Sequence, residues 1–227
     1  MQSRIAPFFT MVYINSMVQK VTIHDQPSRR SLLMGIVSLY LIPINAHSAD
    51  QTVEHVTSPR ILGKADAPIK VIELFSMTCS HCASFHNNTF PDVKKRLIDT
   101  GMVRFEMQPF PLDQVALRAH ALARALPQSK YFPMVSMLLK DIDRWARNPD
   151  PLAALLQMAR LAGMSAAEFN AVMKNRPLLE AIVSMRQDAN RTWQIEATPS
   201  FVVNNKTILS GDLSYEEFAS KINATDT

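Results

Sequence analysis

The chain of 227 residues contains only two cysteines, and they stand three positions apart in Cys79-Ser80-His81-Cys82. A secreted protein held together by disulfides spreads an even number of cysteines through its loops, and a single close pair can staple nothing large. Two cysteines at this spacing are therefore present for their reactivity. Two chemistries use the pattern: a dithiol–disulfide couple, in which a thiolate attacks or leaves a sulfur–sulfur bond, and half of a soft metal site. For the second, Cys79, His81, Cys82 and His86 are the available ligands, His86 lying one helical turn beyond Cys82. A structural zinc site draws a second ligand pair from elsewhere in the chain, and no further cysteine exists to supply it. The redox couple is the expected chemistry. No metal or other cofactor is expected, and His86 is expected to be an ordinary helix-surface residue.

The elements around the pair are those that would place it at a helix start. Ile69-Lys70-Val71-Ile72-Glu73-Leu74-Phe75 is a β-branched, mostly apolar run of strand length, expected to be buried on both faces. The cysteines follow at once, and the pattern turns helical over 80–98, with Pro91 expected to kink it. Gly101 ends the helix and 103–107 reads as a second strand, so strand, helix and strand form a βαβ unit with a parallel pair. From Asp113 to about Glu196, Ala, Leu and Met dominate at helical spacing, with four or five helices expected, among them 151–162, 165–175 and 178–195. Strand character returns at 200–203 and 207–209 around an Asn204-Asn205 turn suited to positive φ. Ser214 and Glu217 form a capping box that opens a last helix, to about residue 222. The sheet is thus split, βαβ before a helical insertion and ββα after it. The thirteen methionines read as core filler.

Composition places the chain among globular proteins, at 47% hydrophobic and 19% charged, with no repeat or low-complexity tract. Its formal charge of +4 points first to nucleic acid, but the charge is unevenly distributed. Residues 1–49 carry four cations against Asp25 alone, a net of +3, which leaves +1 for residues 50–227. That body has no basic stripe with interleaved aromatics, and nucleic acid is excluded as a partner. The basic segment has another use. Arg29-Arg30 precedes an apolar run over 32–44, broken by Pro43, and Ala46, Ser48 and Ala49 follow. Thirteen residues of helix span about 20 Å against a hydrocarbon core of about 30 Å. A signal peptide cleaved after Ser48 or Ala49 is expected, rather than a membrane tether. Ser28-Arg29-Arg30-Ser31-Leu32-Leu33 resembles a twin-arginine signal without its usual Phe and Lys, so the route is Sec or twin-arginine.

Taken in order, Glu73 through Cys82, the helical insertion, and Ala197-Thr198-Pro199-Ser200-Phe201 resemble the DsbA family of periplasmic disulfide oxidoreductases, a likeness running from about Gly63 to Ile222. The resemblance implies an α/β, thioredoxin-like fold with an inserted all-helical subdomain. Its divisions would be 1–49 as signal peptide, 50–112 as the first half of the fold with the Cys-X-X-Cys, 113–195 as the insertion, and 196–227 as the second half with a cis-proline. It implies an exported, periplasmic enzyme that introduces disulfide bonds into secreted proteins. Cys79 would be the attacking thiol, with a pKa lowered from ~8.5 into ~3.5–7.5, or about 1.4–7 kcal/mol in favour of the thiolate. The helix N-terminus and a protonated His81 would supply the positive potential. Cys82, one turn in, would be the more buried partner, with Glu73 as the acid behind it that manages its proton. Thr198 and the cis-Pro199 would bind substrate backbone opposite the cysteines.

The partners implied are unfolded or reduced secreted proteins and a membrane, quinone-linked DsbB-like reoxidant. Thr198 points the other way, because threonine before this proline occurs in family members of isomerase type. Isomerases need an N-terminal dimerisation domain, and about twenty residues between the cleavage site and the core are too few for one. A monomeric oxidase is expected. The alternatives are an isomerase or reductase of the same fold, and a Cys/His metal-binding chaperone.

Overall fold

A computed structural model describes residues 52–224. The expected signal peptide, residues 1–49, lies outside the described residues.

A short helix, α1 (Val53–Thr57), begins at Thr52, whose side chain accepts from the His55 N–H, and leads into strand β1 (Ile61–Leu62). Neither element was visible in the polar stretch that forms them. Strand β2 (Ile69–Phe75) feeds the cysteine turn and then an unbroken helical segment, made of α2 (Ser80–Ser84), a π-helical turn over Phe85–Thr89, α3 (Phe90–Val93) and a second π-helical turn over Lys94–Ile98. Pro91 does not break this helix, and the irregularity expected there from sequence takes the form of a π-helical turn just before it. The proline occupies the first turn of α3, where its missing N–H is tolerated, and the wider turn just before it absorbs the misfit. Strand β3 (Val103–Pro109) runs parallel to β2, pairing Ile69 with Val103 and Phe75 with Pro109.

The insertion comprises α4 (Gln114–Ala125), α5 (Gln128–Lys140), α6 (Ile142–Ala146), α7 (Pro151–Leu161), α8 (Ala166–Lys174) and α9 (Arg176–Trp193). Starts follow local chemistry: Asp113, Asp150, Ser165 and Asn175 each cap the following helix through a side-chain oxygen. The chain then returns as β4 (Ser200–Val203) and β5 (Thr207–Ser210), joined through Asn204 and Asn205 at φ 50° and 56°, and closes with α10 (Tyr215–Ala224). Ser214 and Glu217 make the expected reciprocal cap, Ser214 N–H to Glu217 Oε2 at 2.9 Å and Glu217 N–H to Ser214 Oγ at 3.3 Å.

The five strands lie in the order β1-β3-β2-β4-β5, with β2 between a parallel and an antiparallel neighbour. Alternation along β2 decides what each face holds. Val71 and Phe75 enter the main core with Phe105, Met107, Phe201 and the insertion helices, while Leu74 faces a smaller cluster with Phe110, Ala189, Ile195 and Val202. Lys70 is exposed and Ile72 half-buried, so the burial expected on both faces holds only in part. Met77, Met107, Met134, Met164 and Met173 are buried, as core filler should be, whereas Met137 and Met158 are partly buried and Met102 is exposed. Gly63 is required where it stands: its φ is +91°, and a Cβ there would lie 2.4 Å from the Val103 carbonyl oxygen.

Two arginines are also buried, against expectation for their type. Arg124 donates to the carbonyls of Val56, Ser58 and Met107, and Arg60 to the carbonyls of His55 and Arg124 and to Ser58 Oγ. Both guanidinium groups lie over the ring of the buried Tyr131, at 5.4 and 5.5 Å. This clamp holds the segment carrying α1 and β1 to α4 and β3.

Candidate active site

The turn between β2 and α2 is held from behind. Ser76 Oγ lies 3.2 Å from Thr78 Oγ1, Thr78 donates to Asp113 Oδ2 at 2.6 Å, and the other oxygen of Asp113 accepts the Ala116 N–H at 2.7 Å. Ser76 Oγ also takes the Leu112 N–H at 3.3 Å. The N-terminus of α4 and the cysteine turn thereby share one cap. Ser76, Thr78 and Asp113 went unnoticed in the sequence, where their only signal was a polar residue just before each helix.

Cys79 occupies the N-cap of α2 in extended conformation, where its sulfur accepts the Cys82 N–H at 3.4 Å. Its thiol donates to the Thr198 carbonyl at 3.2 Å, which sets the 198–199 segment against the cysteines; the Thr198–Pro199 bond is cis. Both cysteines are free thiols; Cys79 keeps 8% of its surface and Cys82 none. Their acidities diverge. The hydrogen bond from the Cys82 thiol, above all, lowers the Cys79 thiol to about 5, against the opposing cost of burial; the Thr198 side chain and the backbone N–H groups of Cys82 and His81 add to the lowering. Thr198 Oγ1 is buried and unpartnered in the dithiol form, which leaves it available to the thiolate. Burial is the main cause that raises the Cys82 thiol, with the hydrogen bond to Cys79 and the charge of Glu73 next. His81 is exposed. Its contribution to Cys79 comes through its backbone rather than its ring.

Glu73 lies on the central strand with no exposed surface, not at a sheet edge. Both its oxygens face His86 Nε2, at 3.0 and 2.9 Å. The expectation that His86 sits on the helix surface is corrected: its side chain is 4% exposed. Phe75, Phe85 and Phe90 surround the ring at centroid distances of 6.0, 5.8 and 4.7 Å. A position four residues beyond Cys82 faces the sheet, and Glu73 supplies the polar partner that makes burial there affordable. Among the described residues, no group of three or more His, Cys, Asp or Glu side chains is arranged to hold a metal ion.

A mixed sheet with a cysteine pair at a helix start, a proline segment against it and helices inserted between its halves defines a dithiol protein of the thioredoxin class. The family model described as thioredoxin matches residues 55–224. The crystal structure of Wolbachia pipientis alpha-DsbA1 superposes with a TM-score of 0.68 at 30% identity, covering 75% of this chain and 92% of that one. A Rickettsia conorii protein named as a protein-disulfide oxidoreductase is 28% identical over 163 residues, 71% of this chain and 58% of the relative. The chain thus spans little more than half the length of that relative. Disulfide bond formation protein D of Bacillus subtilis is 26% identical over 167 residues, 71% of this chain and 74% of that one. The chain belongs to the thioredoxin family, among its DsbA-like members.

Proposed function

We propose that this protein is an exported thiol:disulfide oxidoreductase that introduces disulfide bonds into secreted or periplasmic proteins through Cys79 and Cys82. One observation carries the reading: two thiols three residues apart are driven in opposite directions, Cys79 down to about 5 and Cys82 up. In the disulfide form, a substrate thiolate attacks Cys79 Sγ and Cys82 Sγ leaves. A second substrate thiolate then attacks the mixed disulfide and expels Cys79. Substrate loses two electrons and the protein gains them. Because Cys79 departs as a stabilised thiolate, the reduced protein is favoured and its disulfide is a strong oxidant. Thr198 and Pro199 lie where substrate backbone would pass, and a quinone-linked membrane partner would restore the disulfide. Among the described residues, no helix is long and apolar enough to cross a membrane.

Thr198 supports a second reading, isomerisation, because a hydroxyl that steadies the Cys79 thiolate also alters the lifetime of the mixed disulfide. Equilibration with glutathione and oxidation of a reduced, unfolded test protein decide between them. The expected result is a disulfide readily reduced by glutathione and net oxidation faster than reshuffling. Rescue of a scrambled substrate without net oxidation would overturn the oxidase reading. N-terminal sequencing of the protein from its native compartment tests export, with Ala49 or Asp50 expected first.

A further inference from the structure

Cys82 cannot leave a disulfide unaided. It has no exposed surface, so the thiolate it becomes must take a proton within the core, and when the protein is reoxidised that proton must depart. Glu73 is the carboxyl group whose charge acts on it. But Glu73 is itself fully buried, so a carboxyl that gives or takes a proton once has no solvent from which to recover it.

The structure assigns that exchange to His86, which we propose is a positioning residue that carries the proton between Glu73 and the protein surface. Its Nε2–H spans both carboxylate oxygens, at 3.0 and 2.9 Å, while the ring lies at the margin of the core with 4% of its side chain exposed. The wall around the ring is aromatic, formed by Phe75, Phe85 and Phe90, and offers no competing acceptor from those side chains. The ionisable groups that face the pair are few. Cys82 stands one turn earlier on the same helical segment, and Tyr131 on α5 lies within reach of the Glu73 charge, with Arg60 and Arg124 over its ring. His120 on α4 packs on the far edge of Phe75 at 4.9 Å. Tyr131 and His120 are fully buried, so neither opens a path outward.

The step balances as follows. The substrate thiolate forms its bond to Cys79 Sγ, the Cys79–Cys82 bond breaks, and the Cys82 thiolate takes a proton that passes from the His86 imidazolium through the Glu73 carboxylate. The His86 ring is left neutral and Glu73 a carboxylate again, and the ring regains its proton from water. The two electrons come from the substrate dithiol. Reoxidation runs the same transfers backwards.

This step rests on the exchange chemistry proposed above, and one experiment separates the two. The rate at which a reduced dithiol peptide reduces the protein's disulfide is measured against pH for the full protein and for His86→Gln, which keeps an N–H for Glu73 and carries no proton. The expected result is a loss on the order of 10-fold or more near neutral pH, below the range of a residue that transfers the proton directly. The pH dependence of the rate should change from that of the full protein, while the Cys79 thiolate titration stays unchanged. A variant with the wild-type pH profile would overturn the relay and leave the exchange reading intact. A wild-type protein that does not oxidise the peptide overturns that reading and the relay with it. Because His86→Gln alters a buried site, the unmodified protein supplies a second readout: nuclear magnetic resonance of the His86 ring in the dithiol and disulfide forms. A ring whose protonation differs between the two forms at one pH is expected; the same protonation in both overturns the relay.

Discussion

Among the described residues, two clusters of ionisable side chains are buried, and they solve the cost of burial in opposite ways. In the arginine cluster, Arg60 and Arg124 are met chiefly by main-chain carbonyls fixed by the fold, three of them on Arg124 alone. Burial lowers the pKa of both guanidinium groups, yet arginine retains its charge and so has no proton to trade. In the cysteine cluster the partners are side chains that can trade protons or bonds: the Cys79 thiol with the Cys82 thiol, and Glu73 with His86. The first arrangement is a clamp, static because most of its acceptors belong to the backbone. The second stores an imbalance between two thiols that disulfide exchange can release. Polar burial alone therefore does not mark a reactive site; burial of groups that can trade protons or bonds does.

That contrast breaks most visibly at Cys79. Cys79→Ser is expected to reduce exchange to background with the fold intact, while the Cys79 thiolate of Cys82→Ser should attack the disulfide of an oxidised substrate, expel one substrate sulfur and stay bonded to the other, a mixed disulfide seen as a mass increase equal to the substrate. Arg124→Ala should do the reverse. It strands the carbonyls of Val56, Ser58 and Met107 at roughly 1–3 kcal/mol each before relaxation and leaves a cavity. A loss of roughly 3–5 kcal/mol in denaturant unfolding is expected, with the Cys79 titration unmoved. Glu73→Gln sharpens the distinction within the cysteine cluster itself. It keeps the shape and an acceptor for His86 but no proton to give, so exchange should slow by about 100-fold in stopped-flow oxidation of a dithiol peptide.

The smallest effect belongs to His120, buried between the clusters and lowered to about 3 by desolvation first and then by the Arg124 charge. Neither ring nitrogen has a hydrogen-bond partner of normal geometry. A folded-state value below the free value of ~6.5 means that the unfolded chain binds the proton first as pH falls. The stability in question is present above ~6.5 and is lost progressively toward about 3, on the order of 1–2 kcal/mol by pH 5. His120→Phe should flatten that slope in thermal unfolding at pH 5 against pH 8.

The chemistry was legible in the sequence where it depended on neighbours along the chain. The cysteine spacing, the Asn204-Asn205 hairpin and the Ser214–Glu217 cap are local, and each formed as its residues required. What escaped depends on contacts across the fold. His86 was read as a surface residue because a lone histidine in a helix has no local signal for burial; only the register of β2 brings Glu73 to it. Arg60 and Arg124 carry no local sign of burial because their partners are carbonyls, which sequence does not display. Pro91 reads as a kink by rule, and the π-helical turn that relieves it is a property of the packed helix. His81 is expected to act through its imidazolium; its side chain is exposed, and its backbone adds to the lowering of the Cys79 thiol.

The central claim is the divided acidity of the two thiols, and thiolate absorbance of the reduced protein against pH tests it most directly. The expected curve has one thiolate appearing with a midpoint of about 5, assigned to Cys79 because it disappears in Cys79→Ser, and no second step from Cys82 through the neutral range. Two thiolates titrating together near ~8.5, the value of a free cysteine, would contradict it.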